Sequence, residues 1–157
     1  MAEGFIKVEI DDRAIREVLN RLMDQAGNIE PALADISEYL TDSTKQRFID
    51  GQAPDGTAWK ANTASTLAHK SGDKPLIGEG KALSTQFSGD ITANTLLFGS
   101  PMEYAAVQQF GADKGSFTGG KSPWGDIPAR PFLGISSKDN DAIMDIIRDH
   151  ILTAMGK

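Results

Sequence analysis

The stretch FIKVEIDDRAIREVLNRLMDQAG, Phe5 to Gly27, changes its hydrophobic period part-way along, and that change decides the fold class. From Phe5 to Ile10 the residues alternate, with Ile6, Val8 and Ile10 against Phe5, Lys7 and Glu9, the pattern of a short strand with one apolar face. Then Ile15, Val18, Leu19, Leu22, Met23 and Ala26 recur at i, i+3, i+4, i+7, i+8 and i+11, which predicts an amphipathic helix. Asp11 or Asp12 stands at its N-cap, and Gly27 follows its last turn.

Downstream, Leu33, Ile36, Leu40, Thr44 and Phe48 form a stripe that predicts a second helix from about Glu30 to Asp50, with Pro31 tolerated in the first turn and Gly51 at the end. From Gly51 to Gly80 the signals are turns, with a short helical turn near Thr63 to His69. Leu83, Thr85, Phe87 and Ile91 alternate with Ser84, Gln86, Ser88 and Asp90 as a strand would. Ala93-Asn94 turns the chain, and Thr95 to Gly99 returns as the partner strand. A short helix is expected from Glu103 to Phe110, and Pro128 and Pro131 suit Ile127 to Ile135 to an extended edge or polyproline-like stretch. Ile143, Ile146, Ile147, Ile151 and Ala154 or Met155 predict a last helix, capped by Ser137 or Asp139 and stopped by Gly156. The expected class is α+β: one domain over residues 1–157, a small antiparallel sheet packed with two N-terminal helices and one C-terminal helix, and a long Gly-rich loop.

Composition fits that reading. The chain has 157 residues, 39% of them hydrophobic, enough for a core without staples. The absence of cysteine removes disulfides, cysteine-based metal sites and a cysteine nucleophile. A net charge of −6 argues against gross counterion-release binding to nucleic acid. No stretch approaches ~18 consecutive apolar residues, and the N-terminus lacks the charged and apolar regions of a signal peptide, so neither a membrane span nor secretion is expected. The backbone breakers are unevenly placed: 13 of the 16 Gly and six of the seven Pro lie between Gly51 and Ile135. So is the charge, with 11 acidic and six basic residues in Met1 to Asp50 against seven of each in Gly51 to Ser137.

The candidate chemistry is thin. Gly115 to Ser122 satisfies the phosphate-loop pattern G-x-x-x-x-G-K-[ST] and would make Lys121 a nucleotide ligand. That mechanism needs a buried strand leading in and a helix leading out, but Pro123 and Gly125 follow at once, so Gly111 to Asp126 reads as a loop, long enough to be mobile or functional rather than a mere connection. Lys114, Lys121 and Arg130 make a weak footprint for DNA. His69 and His150 show no metal-ligand spacing and read as solvated or partly packed. Acidic residues such as Asp139 and Asp141 fall where a helix start favours them.

Several segments together resemble a known family. Arg47-Phe48, then Pro54-Asp55-Gly56-Thr57-Ala58-Trp59-Lys60, Leu83, Tyr104-Ala105-Ala106-Val107-Gln108-Gln109-Phe110-Gly111, and Ile127-Pro128-Ala129-Arg130-Pro131-Phe132-Leu133-Gly134-Ile135-Ser136 match in order and spacing the phage virion morphogenesis family, the tail-completion proteins of Mu-like and P2-like tailed phages. One departure is Gln108, where members often carry His.

The resemblance implies a non-enzymatic structural role in completing the tail or joining it to the head, with no cofactor. It implies several copies in a ring, contacts with other tail and head-connector proteins, and assembly in the host cytoplasm before incorporation into the virion. The candidate contact residues are Trp59, Tyr104, Gln109, Phe110, Lys121, Trp124, Arg130 and Phe132. Large aromatics in turn-rich segments either fold back onto the core or await a partner. Gln109 and Arg130 stand out as polar residues within apolar motifs, and Arg130 is placed to pair with a carboxylate of its own chain or of a neighbour.

Overall fold

The computed structural model describes residues 12–78, 80–113 and 126–156. The predicted strand from Phe5 to Ile10, and Lys114, Phe117, Lys121 and Trp124 of the Gly-rich loop, lie outside the described residues.

The first two helices follow the sequence pattern closely. Helix α1 runs Arg13–Ala26 and buries Ile15 and Leu22. Its side-chain cap is a correction: Asp12 holds the cap position but makes no capping hydrogen bond, its carboxylate lying instead 2.9 Å from Arg16 Nε. Helix α2 runs Glu30–Asp50 and, at 21 residues, is about 30 Å long. Its first turn is tied by Asn28 Oδ1, which accepts from the Glu30 N–H at 3.0 Å. Both helices end on a left-handed glycine, Gly27 and Gly51.

Helix α3 (Ala64–His69) starts on Thr63, whose hydroxyl accepts from the Thr66 N–H. The next element departs from expectation: Leu83 and Thr85 belong to a short helix, α4 (Ala82–Thr85), and not to a strand. The physical reason is local. Ser84 Oγ and Thr85 Oγ1 both donate to the Lys81 carbonyl, at 2.9 and 2.7 Å, and the Gln86 N–H donates to Ala82 O. These bonds wind the backbone and bury Leu83 without any pleat.

The hairpin comprises β1 (Ser88–Thr92) and β2 (Thr95–Gly99), antiparallel in the register Thr92↔Thr95 to Ser88↔Gly99. Ala93 and Asn94 both have positive φ, 48° and 66°, as the primed two-residue turn requires. Gly89 lets β1 lie directly on α2, since a Cβ there would sit 1.9 Å from Ser37 Oγ.

Helix α5 runs Ala105–Phe110 and α6 runs Ser137–Ala154. The cap of α6 is Ser136, one residue earlier than expected, in a full capping box. Ser136 Oγ accepts from the Asp139 N–H at 3.0 Å, and Asp139 Oδ2 accepts from the Ser136 N–H at 2.9 Å.

Two apolar clusters result. In the first, Ile15 and Leu22 of α1, Leu33, Ile36 and Leu40 of α2, and Ile143 and Ile147 of α6 pack under the hairpin. In the second, Phe48, Ala53, Trp59, Leu83, Ala105, Phe132 and Leu133 collect around the end of α2. Helix α2 runs through both and carries the hairpin on one side, the α+β arrangement.

Candidate assembly interface

Residues 128–133 pose a local problem of backbone chemistry. Pro128 and Pro131 cannot donate hydrogen bonds, so this segment cannot be a central strand, yet Phe132 and Leu133 are buried and their polar backbone needs partners. The partners are side chains. Trp59 Nε1 donates to Pro131 O at 2.7 Å, and Arg47 Nη1 donates to Phe132 O at 2.8 Å. Gln109 Oε1 accepts from the N–H groups of Phe132 and Leu133, at 2.9 and 3.0 Å, while its Nε2 donates to Leu133 O at 3.1 Å. Three side chains from three different segments thus do the work of a neighbouring strand.

Arg130 holds the same segment from its other end. Its Nε donates to Lys60 O at 2.7 Å, its Nη2 donates to Ala61 O at 3.2 Å, and its own N–H donates to Gln108 O at 2.8 Å. The partners are carbonyls, where a carboxylate was expected. Burial pushes the guanidinium down from its ordinary pKa. Of the aromatics, Trp59 and Phe132 fold back onto the core: Phe48 meets Trp59 edge-on at 5.3 Å and Phe132 at 5.4 Å. Trp59 is positioned by the Pro54-Asp55-Gly56 turn, where Asp55 Oδ1 accepts from the Thr57 N–H at 2.9 Å; that bond holds the Asp55 carboxyl below its usual pKa.

A second polar group was not anticipated from sequence. Tyr39, Ser43 and Arg47, at i, i+4 and i+8 on α2, converge on Asp139 of α6. Asp139 Oδ1 accepts from Tyr39 Oη at 3.0 Å and Ser43 Oγ at 2.5 Å, and Oδ2 accepts from Arg47 Nη2. Burial works against the Asp139 charge, but the hydrogen bonds of Ser43 and Ser136 and the Arg47 charge outweigh it and hold the carboxyl below its usual pKa. Burial also pushes Arg47 down, and burial together with Asp139 pushes Tyr39 up. The i, i+4, i+8 spacing of polar residues was the available signal.

The candidate contact residues therefore divide. Trp59, Gln109, Arg130 and Phe132 are buried with partners in their own chain, Tyr104 and Phe110 are 47% and 58% exposed at the two ends of α5, and Lys121 and Trp124 are outside the described residues. Elsewhere, His150 Nε2 lies 2.6 Å from Asp35 Oδ2. Among the described residues no group of three or more His, Cys, Asp or Glu is gathered to hold a metal, and no helix is long and apolar enough to cross a membrane.

In this arrangement the motif side chains grip the backbone of their own chain from inside. The chain belongs to the phage virion morphogenesis family, which matches residues 10–152. It is 30% identical over 146 residues to the Mu-like prophage FluMu G protein 2 of Haemophilus influenzae, covering 92% of this chain and 95% of that one. It is 28% identical over 123 residues to tail completion protein S of Escherichia phage P2, covering 75% and 81%. No solved structure matches.

Proposed function

We propose that this chain is a structural, non-catalytic subunit of a tailed-phage or prophage particle, one domain that completes the tail or joins it to the head through protein–protein contacts. Several copies act together around the tail axis, alongside other tail and head-connector proteins. The subunit folds in the host cytoplasm and ends in the tail or neck of the virion.

One observation carries the reading. The segments that resemble the family meet in space at residues 128–133, where Arg47, Trp59 and Gln109 satisfy the backbone, and α5 is fixed by that same grip through Gln109. Gln109 points inward while its neighbour Phe110, and Tyr104 at the start of the helix, stand exposed. Exposed aromatics on a rigidly held element are what protein interfaces use as anchors. Tyr104 and Phe110 are thus the contact residues of this reading, with Trp59, Gln109, Arg130 and Phe132 setting their geometry from beneath.

Complementation of a phage or prophage lacking this gene tests it. Tyr104→Ser and Phe110→Ser should leave the melting temperature of the purified subunit unchanged and reduce infectious particles. Free tails of irregular length would support tail completion, and normal tails that never join heads would support joining. Full infectivity of the double variant would sink the contact role of α5.

A further inference from the structure

The outward side of α2 carries its charges in order. Asp35, Glu38, Asp42, Lys45 and Ile49 recur at i, i+3, i+7, i+10 and i+14, the spacing that keeps one stripe on a helix, and they lie opposite the stripe of Leu33, Ile36, Leu40 and Thr44 that faces the core. All are exposed except the half-buried Lys45, and Ile49 is exposed by 56%. The N-terminal half of this stripe is acidic. From Lys45 onward it turns basic: Lys74 Nζ donates to the Ile49 carbonyl at 3.0 Å, and Lys70 Nζ donates to the Lys74 carbonyl. Burial and the charge of Arg130 push the Lys70 ammonium below its usual pKa, against the pull of Asp73, so the field at this end is positive. The Asp50 carboxylate at the same end takes Gln46 Nε2 of its own helix at 2.9 Å.

We infer that this face binds a second copy of the chain: two free subunits associate about a two-fold axis that crosses the α2 stripe between Asp42 and Lys45, with their α2 helices antiparallel. The order of the charges selects that arrangement. A two-fold axis sets residue i against j and j against i, so Asp42 of each copy meets Lys45 of the other. One turn outward Glu38 lies against Ile49, whose side chain covers the methylene stem of the acid, and a further turn brings Asp35 to the end where Lys74 sits. Parallel helices would instead set Asp42 on Asp42 and Glu38 on Glu38, like charge on like. The stripe from Asp35 to Ile49 is about 21 Å long, room for the whole series. Asp35 already has His150 Nε2 of its own chain 2.6 Å away, so the central Asp42–Lys45 contacts, made twice by the axis, set the register. Exposed ion pairs are individually weak, which makes the pair reversible and salt-sensitive. The inference concerns the free subunit and stands apart from the role in the particle: a two-fold pair closes on itself and must open before copies take their places around a tail axis.

Sedimentation equilibrium of the full chain reads the association directly. At low salt the mass should rise with concentration from one chain to two and stop there. Raising the salt from about 0.01 to about 1 M, which shortens the screening length from about 30 to about 3 Å, should return it to one. Asp42→Lys and Lys45→Asp each set like charges across the axis twice and should weaken dimerisation at least about tenfold. Mixed in equal amounts the two variants should associate again, as should the double variant carrying both changes, with circular dichroism melts reporting that each is folded. If a variant does not fold, the mass of the natural chain and its salt dependence still decide. A single chain at every concentration in low salt overturns the inference, and so does a dimer that neither reversal weakens or a mixture that stays apart. A mass above two chains overturns the two-fold pairing. A chain that stays single yet restores infectious particles in the complementation above removes this pairing and leaves the proposed function standing.

Discussion

Arg47 of α2 and Asp139 of α6, 92 residues apart in sequence, form an ion pair whose side chains are 7% and 2% exposed. Each also holds something else. Arg47 fixes the Phe132 carbonyl, and Asp139 completes the α6 capping box. One pair therefore joins the helix that spans both clusters, the start of the last helix and the proline-bearing segment between them.

Breaking that pair from one side should be costly. Asp139→Asn leaves the Arg47 charge buried without its counter-charge and should destabilise by about 3–5 kcal/mol in urea unfolding. Replacing both residues, Arg47→Met with Asp139→Leu, removes the stranded charge and should cost less than the single change. A double variant as unstable as the sum of the two single ones would show that the residues act separately.

The same carboxyl sets an acid limit. Its pKa is lower in the folded chain than in the unfolded one, so its contribution is complete above the unfolded value, about 3.9. As pH falls below that value toward the folded pKa, the contribution is lost. Chemical denaturation from pH 6 downward should show stability falling in this window, more steeply in the natural chain than in Asp139→Asn.

Gln109 answers for three backbone groups, and its variants separate shape from chemistry. Gln109→Ala leaves two buried N–H groups unpaired, each costing about 1–3 kcal/mol. Gln109→Glu keeps both acceptor contacts but turns a carboxyl oxygen toward the Leu133 carbonyl in place of a donor. Its loss should shrink at acid pH, where a protonated carboxyl donates again; thermal melts at two pH values check this.

Gly111 ends α5 with φ +74° and ψ 177°, a conformation essentially reserved for glycine. A Cβ there would stand 2.7 Å from both Ala129 N and Ile127 O. Gly111→Ala should therefore cost more than the ~1–3 kcal/mol of backbone strain alone. Gly27→Ala, left-handed but with nothing within 4 Å, should cost less, and differential scanning calorimetry of the two variants ranks them.

Arg130 distinguishes a fork from a charge. Lysine cannot reach two successive carbonyls as the guanidinium does, so Arg130→Lys should lose thermal stability nearly as Arg130→Ala does. If Arg130→Lys melts like the natural chain, charge alone is what the site requires.

Much of the fold was readable in sequence because the long helices have enough turns for a period to show. The stripe from Leu33 to Phe48 lies buried along α2 as its spacing predicts, and Ile143 and Ile147 do the same on α6. Helix α4 misled because four residues hold barely one turn, and Leu83, Thr85 and Phe87 imitate a strand until the hydroxyls of Ser84 and Thr85 are seen on Lys81. Among the candidate contact residues Tyr104 and Phe110 are exposed while Gln109 and Arg130 are buried, a division that sequence does not give because polarity within an apolar motif does not reveal a side chain's direction. The missing consideration was that buried backbone outside regular ladders needs side-chain partners: Gln109 serves Phe132 and Leu133, and Arg130 serves Lys60 and Ala61. Asp139 was read as a cap and is instead the third helical residue, answering the Ser136 cap within the capping box, while its link to Arg47 depends on a contact that local spacing does not encode.

Because α2 is one unbroken helix whose first half belongs to the isoleucine- and leucine-rich cluster and whose last turn carries Phe48 into the aromatic one, neither cluster has a boundary at which to come apart alone. Fraying the end of the helix exposes Phe48 and releases Arg47 from Asp139, which loosens α6 over the other cluster in the same event. Melting should thus be all-or-none, with helical circular dichroism and the fluorescence of Trp59, measured in a Trp124→Phe background, tracing one superimposable curve.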